Sequence, residues 1–162
     1  MDSASDSNPF VHRTRRVLTV EDDTGTSFVL EDGEPEDVLI LNGARMVRLW
    51  QTDEVPAEIP VRTDVTDGGL GRLPAAEFGG TRFYTAELPG GANAPQIPMH
   101  TSNSIDYIAV LRGEIVLVTD KDEVVLKSGD TLVQTGNNHT WQNRTDEVAV
   151  LLVVVVGAQR KT

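Results

Sequence analysis

The stretch HTSNSIDYIAVLRGEIVLVTD, residues 100–120, decides the fold class. It holds two apolar runs separated by Gly113, and both are short and rich in Val and Ile. Such runs between turn residues are typical of β-strands. Because side chains alternate across a strand, Asp106 shares one face of the first run with Ile108 and Val110. The stretch therefore predicts two strands and a carboxylate that faces an apolar interior.

The rest of the chain has the same character from Arg15 onward. Short runs of Val, Ile, Thr and aromatic residues alternate with Gly, Asp, Asn and Pro, and none carries an extended helical stripe. The best helical segment is a turn near residues 73–78, within a surface loop predicted over residues 55–78. The run AVLLVVVV at residues 149–156 is apolar on both faces, which favours a central strand. The pattern predicts an all-β barrel or sandwich.

Length, charge and cysteine content exclude several classes of protein. The 162 residues fit one domain, and 14 Lys and Arg against 25 Asp and Glu leave a net charge of −11. That charge repels phosphate backbones and anionic membranes, so we expect neither nucleic acid nor membrane as a partner. The absence of cysteine excludes disulfides, zinc ribbons, iron–sulfur clusters and thiol nucleophiles. We expect a soluble, cytoplasmic protein, because the acidic start does not resemble a signal peptide.

An ionisable group that faces an apolar interior needs a partner, because burying an unpaired carboxylate costs several kcal/mol. His100 lies just before the strand of Asp106, and His139 begins a later run, HTWQN. In that run Trp141 and Asn143 share the strand face of His139. Two imidazoles and one carboxylate are thus predicted to converge in one interior.

The residues before His139 predict a strand and a turn. GDTLVQTGNN, residues 129–138, is predicted to be a strand that runs into a tight Gly-Asn-Asn turn. His139 would then start the returning strand of a hairpin.

These residues resemble the first of two short motifs of the cupin superfamily. That motif has an opening Gly, then His-x-His, Glu and a closing Gly. His100 matches the first His and Gly113 the closing Gly. Ser102 stands in place of the second His, and Asp106 in place of the Glu. Ala94 stands where the opening Gly is expected.

The second cupin motif runs Gly, Pro-x-Gly, His, Asn, and residues 129–143 resemble it. Gly129 opens it, Thr135 replaces the Pro, and Asn137 occupies the second Gly position. His139 arrives one residue early, and Asn143 then follows at the expected distance. A single deletion in the turn accounts for that shift and keeps His139 on its strand face.

The resemblance implies an all-β, jelly-roll-like cupin barrel over residues 80–162 with its site inside. Residues 15–79 would form an N-terminal strand extension and loop, and residues 1–14 a disordered tail. The resemblance also implies a homodimer in which N-terminal strands pack on the partner's barrel.

For the site, the resemblance implies two alternatives that stay open. In metal-binding cupins the motifs supply His and Glu ligands, so His100, Asp106 and His139 are the candidate ligands here. Two imidazoles and a carboxylate suit ferrous iron, and such sites also take Mn, Ni or Zn. Without a metal, the same residues would be catalytic, with Asp106 orienting an imidazole and fixing its tautomer. A purely structural His–Asp cluster is a third interpretation.

The functional hypothesis is a small-molecule enzyme of dehydratase, lyase, isomerase or decarboxylase type, acting on an oxygenated organic substrate. Ser102 and Asn143 are candidate partners for a substrate oxygen, and Trp141 is a candidate stacking residue. The resemblance adds that small cupins often tailor natural products. Two alternatives are an Fe(II)-dependent dioxygenase and a non-catalytic module that binds or senses a small ligand.

Overall fold

The computed structural model describes residues 9–10, 12–64 and 79–161, which form an all-β fold, as predicted. Apart from one 3-10 turn at Gly91–Asn93, the regular elements in these ranges are strands. In chain order the strands are β1 (Arg16–Glu21), β2 (Ser27–Gly33), β3 (Val38–Leu41), β4 (Ala44–Thr52), β5 (Thr81–Leu88), β6 (Ser104–Arg112), β7 (Glu114–Thr119), β8 (Glu123–Lys127), β9 (Thr131–Gln134), β10 (His139–Gln142) and β11 (Ala149–Gly157).

Two antiparallel sheets enclose the core. The larger has the strand order β3-β4-β5-β11-β6-β9, and the smaller has the order β10-β7-β8. β11 lies between β5 and β6, which confirms the predicted central strand. Buried apolar side chains from both sheets pack together between them, and they include Ile108, Val110, Ile115, Leu117, Trp141, Leu151 and Val153.

The strands predicted before the barrel are present, and two of them extend its larger sheet. β4 pairs with β5, and β3 forms one edge of the sheet. Among the described strands, β1 and β2 pair with each other alone, as a two-stranded ribbon whose second strand is exposed along its whole length. The N-terminal extension is therefore part barrel wall and part separate ribbon.

The segment before β1 is anchored to the outer face of β5 by buried polar groups. Glu87 is 1% exposed and forms an ion pair with Arg45. The main-chain N–H of His12 donates to Glu87 Oε2 at 2.9 Å. The hydroxyls of Thr14 and Thr85 also bond at 3.0 Å. These contacts hold the start of the extension against the barrel.

The predicted hairpin before His139 is wrong. β9 pairs with β6 in the larger sheet, whereas β10 pairs with β7 in the smaller one. Residues 135–138 therefore carry the chain from one sheet to the other. Gly136 and the two asparagines predict a tight turn, but β9 and β10 each pair with a strand that is distant in sequence, and this pairing places them in different sheets.

Some expectations fall on residues that the structure does not describe. The first eight residues of the expected tail, the helical turn at residues 73–78 and the second half of the predicted loop lie outside the described ranges. Residues 55–64, which begin that loop, contain neither helix nor strand. The division at residues 14 and 79 stays a prediction. Within the described ranges, no helix is long and apolar enough to cross a membrane.

Candidate functional site

A cavity of about 320 Å³ lies between the two sheets. Its walls come from both sheets and from the segment before β6, and the lining residues are Leu41, Asn42, Ala44, Met46, Tyr84, Ala86, Leu88, Ile97, Pro98, His100, Asp106, Ile108, His139, Trp141, Leu151 and Val153. His100, Asp106 and His139 thus line one space. Its volume is at the small end of the range for ligand pockets.

Strand alternation places Asp106 in this cavity. Asp106 and Ile108 both line it, while Tyr107 and Leu111, on the opposite face of β6, are 51% and 43% exposed. The predicted orientation of the carboxylate is confirmed. It follows from local sequence alone, because the period of a strand needs no tertiary information.

His139 and His100 are held side by side by their main chains. Each residue's N–H donates to the other's carbonyl at 2.9 Å, in an isolated antiparallel bridge. The ring centroids are 4.4 Å apart and the planes are tilted by 47°. His139 is 3% exposed, whereas His100 is exposed to solvent. His100 therefore lies where the cavity opens, and His139 lies inside.

The tautomer of both imidazoles is fixed by main-chain carbonyls. Nδ1 of His139 lies 2.8 Å from the Asn137 carbonyl oxygen, and Nδ1 of His100 lies 3.0 Å from that of Pro98. A carbonyl only accepts, so each neutral ring carries its proton on Nδ1 and has a lone pair on Nε2. The hypothesis that Asp106 fixes the tautomer is corrected here, since for His139 the Asn137 carbonyl does so.

The carboxylate of Asp106 is poorly satisfied. Its Oδ1 is buried and has no hydrogen-bond partner among the described residues. Burial raises the pKa of Asp106 above its ordinary value, while nearby Ser104, His139 and His100 oppose that shift. A buried polar atom without a partner is costly in a folded protein. A ligand that donates to Oδ1 would remove that cost.

The neighbouring groups are also shifted toward their uncharged forms. Burial lowers the pKa of His139, partly offset by its bond to the Asn137 carbonyl. Burial and the charge of Asp106 raise the pKa of the Tyr84 phenol. At neutral pH the cavity therefore holds a neutral imidazole and a phenol that keeps its proton.

Tyr84 is a site residue that sequence reasoning missed. It lies on β5 with Ala86 and Leu88 on the same face, and all three line the cavity. The alternation in TRFYTAEL would have placed Tyr84 on the inner face. Its proximity to Asp106 depends on the pairing of β5 and β6 with β11, which is not local information.

Of the three predicted substrate-binding residues, one lines the cavity and two do not. Trp141 lines the cavity, edge-on to His139 with ring centroids 6.4 Å apart. Ser102 and Asn143 are not among the lining residues. Asn143 donates to the carbonyls of Leu88 at 2.8 Å and Glu147 at 2.7 Å, and these bonds fix a loop.

The turn that carries Asn137 is tightly built. Gly136 has φ +72°, and a Cβ at this position would lie 2.5 Å from the Ser102 carbonyl oxygen. The Arg160 guanidinium donates to the Gly136 carbonyl and, at 3.3 Å, to that of Ser102. The close approach requires glycine here. This contact holds the turn, and with it the Asn137 carbonyl that orients His139, near the start of β6.

The chain is similar in sequence to known proteins. A family model described as a cupin domain matches residues 84–155. Phomopsin biosynthesis cluster protein D of Diaporthe leptostromiformis is 34% identical over 150 residues, which cover 88% of this chain and 77% of that protein. The chain belongs to the cupin family.

Two further cupins extend the comparison. The cupin-domain-containing oxidoreductase virC of Hypocrea virens is 28% identical over 142 residues, which cover 85% of this chain and 71% of that protein. The cupin domain of Schizosaccharomyces pombe Cnp3 has a TM-score of 0.55 at 15% identity, covering 90% of this chain and 89% of that one. The second likeness shows a shared fold alone.

Proposed function

We propose that this cupin is a small-molecule enzyme of natural-product biosynthesis that performs acid–base chemistry inside its barrel. One observation carries the proposal: an imidazole lone pair and a buried carboxylate oxygen without a partner line the same apolar cavity. Titratable groups with shifted pKa values in a cleft are typical of active sites. Similarity to a phomopsin biosynthesis cluster protein supports the natural-product context.

In this proposal His139 is the general base. Its Nδ1 proton is held by the Asn137 carbonyl, so Nε2 is the atom that accepts a proton from the substrate. A lowered pKa keeps the ring neutral and ready to accept at neutral pH. His100, at the cavity opening, has the same tautomer and is placed to exchange protons with solvent.

Asp106 is the complementary acid. Burial raises its pKa and thereby increases the fraction of carboxylic acid that can protonate a leaving or carbonyl oxygen. Tyr84 supplies a phenol that stays protonated and can donate a hydrogen bond. Removal of a C–H proton by His139, with protonation of a leaving hydroxyl by Asp106, describes a dehydratase. Return of the proton at another carbon describes an isomerase.

The proposal is tested by a comparison of wild-type protein with His139→Ala. Each is incubated with a small-molecule extract of the source organism, and the mixtures are compared by mass spectrometry. We expect at least one compound to be consumed by the wild type and spared by the variant. A compound that is bound but never converted would instead support a ligand-binding or sensor module. Equal conversion by the variant would contradict the role of His139.

A metal-dependent oxidoreductase, including an Fe(II) dioxygenase, is the second candidate. Two observations favour it: relatives named as oxidoreductases, and two imidazoles whose Nδ1 atoms bond to carbonyls, as in metal-ligating histidines. The donor types of His100, His139 and Asp106 fit a divalent ion. Within the described part of the chain, however, no three such side chains are gathered into a cluster that could hold one.

Metal analysis separates the two candidates. On the metal-dependent account, protein purified without a His tag contains close to one divalent ion per chain. His139→Ala then loses most of it, since two remaining protein ligands hold such an ion poorly. The acid–base account predicts turnover that survives treatment with a chelator. Unchanged metal content in the variant would place any ion outside this cavity.

We also propose that the protein works as a homodimer in the cytoplasm. The N-terminal strands leave large apolar side chains exposed: Phe28 is 44% exposed, Val29 55% and Ile40 61%. β3 is moreover an open sheet edge, which invites pairing. Light scattering at micromolar concentration should give twice the mass of one chain, and Ile40→Asp should shift it toward one. A monomeric wild type would contradict the dimer.

A further inference from the structure

The described residues that line the barrel cavity include no permanently cationic side chain. Among the described residues that line it, none is Arg or Lys, and Asp106 is the one carboxylate. The other walls are mainly aliphatic or aromatic, including Met46, Leu88, Ile108 and Trp141. An anionic ligand in this space would lose its hydration without gaining a fixed positive partner. The lining therefore disfavours carboxylate, phosphate and sulfate groups.

The polar groups of the cavity are concentrated in one place. The rings of His100 and His139 are 4.4 Å apart, and Asp106 lies close enough to both to interact with them electrostatically. Tyr84 in turn lies close enough to interact with Asp106. A ligand therefore meets hydrogen-bonding groups at one position and apolar walls elsewhere. This division matches a molecule with one oxygen-bearing end and a hydrocarbon body.

We propose that the substrate is an uncharged, largely apolar molecule, of about one or two fused rings, with one oxygen-bearing end, a carbonyl with or without a neighbouring hydroxyl, placed among His100, His139 and Asp106. This inference rests on the proposed function and names its substrate class. A volume of about 320 Å³ leaves little space beyond such a body. We expect that sugars, nucleotides and organic acids are not substrates, because each needs more polar or cationic partners than the described lining residues provide.

A matched pair of probes tests the inference on the full chain. 2-Naphthol and 2-naphthoate share their rings and differ in charge at neutral pH. Binding is followed by the ring resonances of His139, which are assigned with a His139→Gln variant and report both affinity and location. We expect 2-naphthol to bind at least tenfold more tightly than 2-naphthoate. Equal affinities, the reverse order, or no shift of the His139 resonances with 2-naphthol would overturn the inference.

A charge added to the wall provides the complementary test. Met46 lines the cavity and is half-buried, so Met46→Lys introduces a cation, while Met46→Gln is the matched uncharged control. Met46→Lys should strengthen 2-naphthoate binding about tenfold and Met46→Gln should not. Thermal melting checks that both variants fold, and if Met46→Lys does not, the wild-type affinity ratio decides. These outcomes are independent of whether His139→Ala abolishes turnover, so failure of the substrate class and failure of the enzyme proposal are distinguishable.

Discussion

Replacing Asp106 by Asn should lower turnover by about 10²-fold or more while leaving the fold intact. The substitution keeps the shape of the side chain and removes the proton that the acid would donate. Its effect on stability should be favourable at neutral pH, because burial disfavours the charged form of Asp106. Turnover and melting temperature measured on the same preparation separate the two effects.

The pH dependence of that stability has a definite sign. The pKa of Asp106 is raised in the folded state. Protonated Asp106 therefore contributes its full stabilisation of the folded state below the unfolded-state pKa, and this contribution is lost as pH rises through the folded-state pKa. Asp106→Asn should therefore melt higher than wild type at neutral pH, with the difference vanishing on acidification. Asp23→Asn, at an exposed acid, is the control and should change neither property. A stability loss of about 3 kcal/mol with ligand binding retained would make Asp106 a structural residue instead.

Replacing Glu87 by Ala should destabilise the fold by about 3 kcal/mol or more, because it breaks a buried ion pair and leaves Arg45 without its carboxylate. It also removes the acceptor for the His12 N–H, so the segment before β1 loses its anchor. For a chain of this length the loss corresponds to a fall in Tm of roughly 6–12 °C. Thermal unfolding monitored by circular dichroism measures it.

The matched control uses an exposed pair. Glu34 bonds to Arg13 across the surface, with side chains 50% and 86% exposed, and such pairs contribute about 0–1 kcal/mol. Glu34→Ala should therefore leave Tm almost unchanged. If Glu87→Ala melts within a few degrees of wild type, the anchoring of the N-terminal segment by buried charge is wrong.

Features of the site that depend on strand period were predictable from sequence. Asp106 faces the cavity because it alternates with Tyr107, and the apolar run of β11 becomes a central strand because both faces are covered. Each inference needs only neighbouring residues. The cupin motifs added the expectation that His100 and His139 lie near Asp106, although they are far apart in sequence.

Features that depend on pairing between distant segments were not predictable. The turn at residues 135–138 looks like a hairpin turn, yet the adjacent strands belong to different sheets. Alternation along the strand would place Asn143 on the same face as His139, but β10 ends at Gln142. The side chain of Asn143 therefore donates to the Leu88 carbonyl instead of lining the cavity. Tyr84 enters the site only through the register of β5 on β11.

The most direct test of the central claim, a neutral imidazole coupled to a buried carboxylate, is a pH titration of the His139 ring by NMR. Burial lowers the pKa of His139, so its ring should titrate below the range of exposed histidines. The charge of Asp106 raises that pKa, so in Asp106→Asn the midpoint should move lower still. A wild-type midpoint typical of an exposed histidine, unmoved by Asp106→Asn, would contradict the account.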